Sequence, residues 1–373
     1  MVRIKPVRTL REKRTFINLP WKLYKDDPNW VPPLKLDMWN TLNPKKNALL
    51  RLGPYQYFLA YRDGEPVGRI GVGIDEHLNE VKGFKGGYLT LFESVNDYEV
   101  AEALFDAACD WLKQRGMEFV TGPQSPSNGD DYRGLLYRGF DSPPVIYASY
   151  NPPYYVEFFE RYGFHKDFDR NAYFLVLDEV PQEMRRGVEY AKRRYKFHTR
   201  RLDLKNIQKE LEGINEVLQA GWPQEWPDMV PPTFEEIQAE YKKLVPFADP
   251  DLLWVAETDE GKIIGFFVAL PDYNQCFARM NGRLFPIGFL KFLWLKRRLK
   301  SGRTFIMFVH PDYHNKGVSA ALYLSAFDAA KAKGYTHGEG SSIHEFNVKM
   351  NRDAQSIGAK LYKIYRVYRK ELA

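Results

Sequence analysis

The stretch most suited to chemistry is residues 314–319, His-Asn-Lys-Gly-Val-Ser. It follows an apolar run, residues 304–309, that predicts a buried strand, and it precedes a helical pattern that ends at Gly334. A glycine-bearing turn between a strand and a helix directs backbone N–H groups and the positive end of the helix dipole at one point. The sequence therefore favours a phosphate-bearing ligand here. An ordinary strand-to-helix turn without a ligand is the alternative.

The turn resembles the pyrophosphate-binding loop of the GNAT acetyltransferases, Gln/Arg-x-x-Gly-x-Gly/Ala, usually preceded by Val-x-Pro. It departs twice, with His314 for Gln or Arg and Ser319 for Gly or Ala. Because backbone N–H groups do most of the phosphate binding, both departures are compatible with that role. The resemblance implies acetyl-CoA or another acyl-CoA as cofactor. The residues it implies for cofactor binding are Phe308, Val309, His314, Asn315, Lys316, Gly317, Val318, Ser319, Ala320 and Asn347.

The resemblance also implies direct acyl transfer to an amine, which needs a general base. Candidates in the C-terminal half are Glu339, His337, His310, Glu345 and His344. We favour Glu339 as the catalytic residue, because its segment follows the cofactor helix, where GNAT proteins place the strand that separates from its neighbour. A solvated or structural role is the alternative for each candidate.

The usual acid of the family has no counterpart here. GNAT proteins often carry Asn-x-x-Ala-x-x-Leu-Tyr-x-Lys-x-Gly-Phe, with the tyrosine hydroxyl near the sulfur of coenzyme A. Asn347 and Gly358 match this pattern, but Ala354 occupies the tyrosine position and has no proton to donate. Leaving-group protonation would then come from water or another residue, or the activity would be slow or lost.

The elements that must position these residues occur twice along the chain. Each half reads as a hairpin, a further strand, a helix ending at Gly116 or Gly334, and a final strand. We expect two GNAT-like modules of α/β (α+β) class, each a mixed, mostly antiparallel twisted sheet flanked by helices. The predicted boundary gives an N-terminal domain over residues 1–178 and a C-terminal domain with the acyl-CoA site over residues 179–373.

The N-terminal copy lacks the phosphate-binding features. Its third strand leads into residues 92–98 without a loop glycine, and Asp97 and Glu99 put negative charge where a pyrophosphate would lie. We expect this copy to bind no cofactor and to supply stability or one wall of an acceptor cleft.

Composition excludes several protein classes. The 373 residues contain 44% hydrophobic and 27% charged residues, typical of a soluble globular protein, and the net charge of +6 suits an anionic cofactor without indicating nucleic acid. Cys109 and Cys276 form no disulfide framework, and no zinc spacing is present, so no metal is expected. Without the apolar run of a signal peptide or a membrane span, the sequence predicts a cytoplasmic protein.

Three segments could shape an acceptor site. Residues 284–300 are apolar and then basic, which fits a lid, a long-acyl pocket or a membrane-surface helix, or a helix packed between the two halves. Residues 124–134 and 222–227 could line a cleft or be packed loops.

The leading hypothesis is an acyl-CoA-dependent N-acyltransferase, most simply an acetyltransferase, acting on a small-molecule or peptide amine. One alternative is a Fem-like transferase that uses aminoacyl-tRNA and would need a basic groove. The residues available for such a groove are Arg185, Arg186, Lys192, Arg193, Arg194, Lys196, Arg200 and Arg201. The other alternative is a non-catalytic acyl-CoA-binding protein. Acceptor, acyl chain length and oligomeric state stay open.

Overall fold

The computed structural model of the protein describes residues 1–127, 129, 131–223, 226–284 and 288–372. The first half contains β1 (Arg3–Pro6), α1 (Leu10–Leu23), α2 (Lys35–Thr41), β2 (Tyr55–Arg62), β3 (Glu65–Gly73), α3 (Glu76–Lys82), β4 (Gly86–Ser94), α4 (Tyr98–Lys113), β5 (Phe119–Gly122), β6 (Leu135–Arg138), α5 (Tyr154–Arg161) and β7 (His165–Val176). The second half contains α6 (Gln182–Tyr195), β8 (Phe197–Arg201), α7 (Ile207–Gly221), α8 (Phe234–Leu244), β9 (Leu253–Thr258), β10 (Ile263–Pro271), α9 (Asn274–Phe277), α10 (Gly288–Leu295), β11 (Ser301–Val309), α11 (Val318–Ala332), β12 (His337–His344), α12 (Val348–Ser356) and β13 (Lys360–Glu371).

Local sequence explains why the main elements begin and end where they do. The β2–β3 hairpin turns at Asp63 and Gly64, whose φ angles of 52° and 83° suit a tight two-residue hairpin turn. α4 starts at Asp97, whose carboxylate accepts a hydrogen bond from the N–H of Glu99, and the chain after it turns at Gly116 with a φ of 72°. Both predicted hairpins and both predicted long helices are confirmed.

Thirteen strands of the described chain form one sheet. Twelve follow the order β1-β2-β3-β4-β5-β13-β7-β12-β11-β10-β9-β8, and β6 pairs with β13. The pairs β4–β5 and β11–β12 are parallel, whereas the other neighbours are antiparallel. α4 packs on β3 and β2, and α11 packs on β10 and β9. The predicted mixed, mostly antiparallel sheet flanked by helices is confirmed.

The final strand of each half pairs with the other half, which the sequence did not predict. β13 lies between β5 and β7, with Tyr368 opposite Gly122 of β5. β7 in turn pairs with β12, with Phe174 opposite Glu339. The two predicted modules therefore share one continuous sheet. The division into two domains at residue 178 stays a prediction.

Each half has its own apolar core on the sheet. In the first half α4 buries Leu104 and Phe105 against β3 and α5, and in the second half α11 buries Ala321 and Leu322 against β10. Cys109 and Cys276 are buried free thiols, one in each of these cores. No helix of the described chain is long and apolar enough to cross a membrane.

A chain cut after Asp178 tests the exchange of strands. We expect residues 1–178 alone to show no cooperative unfolding, because edges of β5 and β7 that β13 covers would be exposed. Co-expressing residues 179–373 should restore a complex that co-purifies. Thermal unfolding followed by circular dichroism is the measurement, with the uncut chain as control. A cooperative transition in the isolated first fragment would contradict the expectation.

Candidate active site

A cleft opens where the parallel strands β11 and β12 separate. Their pairing ends at Thr304 and Gly340. At the same place the pairing of β11 with β10 contains a bulge, and Phe305 of β11 has no partner residue on β10. Such bulges redirect the backbone locally. From Phe305 onward, one edge of β11 therefore faces the cleft, and the backbone N–H and C=O groups of that edge are available to a ligand.

The cleft has a volume of about 510 Å³ and a mostly apolar lining. α11 and α12 supply its helical walls, and β7 contributes Tyr173 and Leu175 from the first half of the chain. A cavity of this size lies within the range of roughly 300–1,000 Å³ that is usual for small-molecule sites.

The predicted phosphate-binding turn lies on the wall of this cleft. Gly317, with a φ of 76°, precedes the first residue of α11, so the free N–H groups of the first helical turn begin beside it. Asn315, Ser319 and Ala320 line the cleft together with Gly317. A Cβ atom on Gly317 would lie 2.7 Å from Cβ of Ala191, so a side chain does not fit. The residues present fit an anionic group such as a pyrophosphate.

The other residues of the motif have different positions. Phe308 and Asn347 line the cleft, and the Asn347 side chain also accepts a hydrogen bond from the N–H of Met350 at the start of α12. Val318 is buried in the core. A ring nitrogen of His314 lies 3.0 Å from the carbonyl oxygen of Val309, which ties the turn to the end of β11.

Lys316 is placed against aromatic rings. Its Nζ atom lies 5.0 Å from the ring centre of Tyr313 and 5.6 Å from that of Tyr195. Lys316, like Val309, His314 and Val318, is outside the lining of the cleft. The backbone of the turn therefore provides more of the site than these side chains do.

Glu339 lies on β12 next to the point of separation and lines the cleft, with 3% of its surface exposed. Its carboxylate accepts hydrogen bonds from the hydroxyls of Ser341 and of Tyr362 on β13. Burial, followed by the charge of Glu339, raises the pKa of Tyr362, so this phenol stays protonated and donates. The arrangement fixes the direction of the carboxylate.

Of the remaining base candidates, His337 shares the cleft with Glu339, whereas Glu345 and His310 are less suitable. Glu345 is outside the cleft lining, since its carboxylate accepts from the N–H of Asp169 at 2.8 Å and pairs with Lys166 at 2.7 Å. His310 accepts from the N–H of Asp312 within the turn. His337 lines the cleft, and burial lowers its pKa, which keeps it neutral near pH 7.

His344 also lines the cleft, but its ring stacks on aromatic neighbours. The ring centres of Phe168 and Trp226 lie 4.4 and 6.0 Å away, and Nδ1 accepts a hydrogen bond from the N–H of Phe346. These ring contacts favour a packing role for this imidazole.

A tyrosine that the sequence analysis missed lies beside Ala354. The ring of Tyr173 on β7 packs in one cluster with Ala354 and Ala359, and its hydroxyl donates to Oδ1 of Asn351 at 3.0 Å. Burial raises the pKa of Tyr173, so the hydroxyl keeps its proton. The small Ala354 thus leaves space for a phenol supplied by a strand from the other half. Residues so distant in sequence gave no signal of this contact.

The corresponding position in the first half is occupied by the protein itself. Asp97 caps α4 and forms an ion pair with Arg62, which holds the pKa of Asp97 below its usual value. Arg62 also pairs with Glu99 at 2.7 Å. A carboxylate already fills the place where an anion would bind a helix N-terminus.

A second and larger cavity, of about 750 Å³, adjoins the cleft. Trp222, Met229, Phe305 and Ile306 line both spaces, so the two spaces meet at these residues. Residues of the predicted 124–134 segment line the second cavity as well, which agrees with the cleft-lining alternative for that segment. Four residues of the predicted segments, Asn128, Asp130, Gln224 and Glu225, lie outside the described part of the chain, as do Phe285, Pro286 and Ile287.

Comparison with known proteins agrees with this geometry. Residues 211–349 match the acetyltransferase (GNAT) family. The chain is 34% identical to a bacterial ceramide synthase of Caulobacter vibrioides, covering 98% of this chain and 97% of that protein. It is 31% identical to Protein YghO of Escherichia coli, covering 98% of this chain and 95% of that protein.

Solved structures show the same fold. A tandem GNAT protein from the clavulanic acid biosynthesis pathway superposes with a TM-score of 0.61 at 12% identity, covering 100% of this chain and 99% of that one. At so low an identity the likeness concerns the fold alone. With the family match, the full-length relatives and the separated parallel strands, the resemblance seen in the sequence is confirmed, and this chain belongs to the GNAT family of acyltransferases.

Proposed function

We propose that the protein transfers the acyl group of an acyl-CoA to the amine of a long-chain lipid acceptor. The observation that carries the proposal is the coincidence of three features at one cleft: the separation of β11 from β12, the start of α11 at Gly317, and the buried Glu339. The ceramide synthase relative supports a lipid amine, because ceramides are N-acylated long-chain amino-alcohols. Acyl-CoA is an intracellular metabolite, so we place the reaction in the cytoplasm.

The chain offers a distinct group for each part of the cofactor. N–H groups at the start of α11 would hold the pyrophosphate, and Asn347 borders the same cleft. Backbone N–H groups of β11 near Phe305 and Phe308 would donate to the thioester oxygen and stabilise the negative charge that develops on it. The apolar lining would hold the acyl chain.

Proton transfer would fall to Glu339. Its carboxylate would accept a proton from the attacking amine, directly or through a water molecule, as the new C–N bond forms and the C–S bond breaks. The leaving thiolate takes a proton, and Tyr173 is the phenol that the sheet places beside Ala354 for this second transfer.

Five of the eight cations that the aminoacyl-tRNA alternative would use already have acidic partners. Arg185 forms a bidentate pair with Asp328, and Arg200 pairs with Glu210 and Glu257. Arg186, Lys192 and Arg201 also have acidic partners. Cations engaged in this way contribute less to phosphate binding, so the structure favours acyl-CoA over tRNA.

The exposed face of α10 suits contact with a lipid surface. Leu290 and Trp294 are 67% and 52% exposed, and Arg298 stacks on the Trp294 ring at 3.9 Å. An apolar face bordered by Lys296, Arg297 and Arg298 has the composition of helices that lie on anionic membranes. We infer that the protein reaches its lipid acceptor through this face.

Cofactor binding is tested by isothermal titration with acetyl-CoA and with longer acyl-CoAs. We expect binding by the wild type and none by Gly317→Glu, because the substitution forces a side chain against Ala191 and adds a negative charge at the helix start. Gly334→Glu is the matched control, since its φ of 82° is similar but the nearest atom to its Cβ would be Nζ of Lys300 at 3.7 Å. If the wild type binds none of the acyl-CoAs, the proposal is wrong.

The role of Glu339 is tested by Glu339→Gln. We expect kcat to fall by about 10²- to 10⁴-fold, the usual contribution of a general base, with the Kd for acyl-CoA unchanged. Glu345→Gln, a carboxylate already engaged with Lys166 and Asp169, is the control and should keep kcat within a few-fold. Full activity of Glu339→Gln would assign the proton transfer elsewhere, and an inactive wild type that binds acyl-CoA would favour the non-catalytic alternative.

Membrane contact is tested by co-sedimentation with phosphatidylglycerol vesicles. The double variant Leu290→Glu, Trp294→Glu should bind these vesicles more weakly than the wild type, because it places two charges on the apolar face. Val81→Glu on α3, where Val81 is 55% exposed, is the control for an added surface charge. Equal sedimentation of both variants would show that α10 does not mediate the contact.

A further inference from the structure

The second cavity is an apolar space built jointly by the two halves of the chain. Leu135 and Ile146 line it from the first half, and Ile214, Val268 and Phe277 line it from the second. Its volume of about 750 Å³ is in the upper part of the range of roughly 300–1,000 Å³ that holds small molecules. Glu339, the proposed base, lies in the neighbouring cleft, and Phe305 belongs to both linings. A ligand in the cavity would therefore have the reacting cleft beside it.

Two buried polar atoms in the segment that follows α7 lie on the lining and have no hydrogen-bond partner in the described chain. Oδ2 of Asp228 pairs with Nη1 of Arg133 at 2.9 Å, but Oδ1 of the same carboxylate has no partner. The indole Nε1 of Trp222 also lacks one, although its ring stacks on Phe308 with centres 5.9 Å apart. The Asp228 side chain is 4% exposed and Trp222 is 9% exposed. Buried polar atoms are nearly always paired, so atoms left without partners beside a cavity indicate a ligand.

The chemistry of the two atoms restricts what that ligand is. A carboxylate oxygen only accepts hydrogen bonds, so its partner must be an N–H or O–H group. An indole nitrogen only donates, so its partner must be an oxygen or another acceptor. Both residues belong to the segment that follows α7, and both line the cavity. A molecule with an amine and a nearby oxygen on one hydrocarbon chain meets all of these requirements.

A third unpartnered atom, Nε of Arg69, lies on the wall formed by the first half. Its guanidinium is already paired with the buried Glu93, which also accepts from the hydroxyls of Tyr24 and Tyr155. Nη1 of Arg69 donates to the carbonyl of Phe16 at 2.6 Å. Because Glu93 offsets the charge of Arg69, this wall does not require an anionic ligand. A fatty acid is nevertheless the competing ligand that an experiment has to exclude.

We propose that the second cavity is the acceptor site and that it binds a single-chain amino-alcohol, with Asp228 accepting from the amine, Trp222 donating to the neighbouring oxygen, and the hydrocarbon chain filling the apolar space. The proposal rests on the proposed acyl transfer, since it gives that reaction its acceptor. Asp228 and Trp222 act here in binding. Glu339 keeps the proton-transfer role.

Binding is measured by calorimetry without acyl-CoA, with 2-aminododecanol, dodecylamine and dodecanoic acid as probes. The wild type should bind the amino-alcohol most tightly and the acid least. Asp228→Asn should weaken binding of both amines by about 10- to 100-fold, the range for a hydrogen bond to a charged group. Trp222→Phe keeps a ring to stack on Phe308 but removes the N–H donor. It should therefore weaken binding of the amino-alcohol and leave binding of dodecylamine unchanged.

A cavity-filling variant covers the case in which Asp228→Asn fails to fold. Val268→Phe places a larger side chain in the lining of the second cavity but not of the cleft, so it should abolish binding of the dodecyl probes and leave the Kd for acetyl-CoA unchanged. Tightest binding of dodecanoic acid, or unchanged binding of the amino-alcohol in both Trp222→Phe and Val268→Phe, would overturn the proposal.

The acyl-CoA titration separates this inference from the proposed function. In one outcome acyl-CoA binds, Glu339→Gln is inactive, and the cavity variants bind and acylate long-chain amines as the wild type does. The acyl transfer is then supported, but the acceptor binds outside the second cavity. If no acyl-CoA binds but the amino-alcohol does, the cavity assignment stands as a binding site and the acyl transfer fails.

Discussion

The parallel pairing of β11 and β12 lasts only to Thr304 and Gly340, and the candidate site depends on that early separation. A sheet that stayed paired would satisfy its backbone groups internally and leave no room for a ligand. Once the strands separate, the edge of β11 faces a cleft, the start of α11 lies on its wall, and Glu339 is near the point of divergence. One local break in pairing thus brings together a helix N-terminus, free backbone donors and a buried carboxylate.

The separated strand is held from its other side by a strand of the first half. β7 pairs with β12 from Val176 opposite His337 to Arg170 opposite His344, with one irregularity between Gly340 and Ile343 of β12. The hydroxyl of Tyr362 on β13 directs the Glu339 carboxylate, and Tyr173 on β7 reaches the cleft. The first half therefore contributes to the site through its sheet, although its own helix start is closed by Asp97 and Arg62. We therefore expect the site to need this half for its strands, even though this copy is predicted to bind no cofactor.

Features set by neighbouring residues could be predicted from the sequence. The Asp63-Gly64 turn, the glycines that end the two long helices and the Gly317 loop each depend on backbone geometry over a few residues. Glu339 was selected through the family resemblance, and the structure places it in the cleft, while its role stays a prediction. The exchange of β7 and β13 could not be predicted, because the strand patterns are the same whichever sheet edge a strand joins. The roles of Tyr173, Trp222 and Asp228 could not be predicted from the sequence either. Tyr173 matters because of contacts with residues distant in sequence, and the other two because a buried polar atom of each has no hydrogen-bond partner among the described residues.

The exchanged strands also have a consequence for synthesis of the chain. β13 follows all the other described strands in the chain and is therefore synthesised after them, yet it lies in the middle of the sheet between β5 and β7. Until it emerges, the nascent first half carries an open edge beside β5 that none of the earlier strands covers. Contacts of such long range form slowly, and exposed strand edges associate with other chains. The nascent protein is therefore an expected client of chaperones, and a chain that lacked β13 would lose the centre of its sheet.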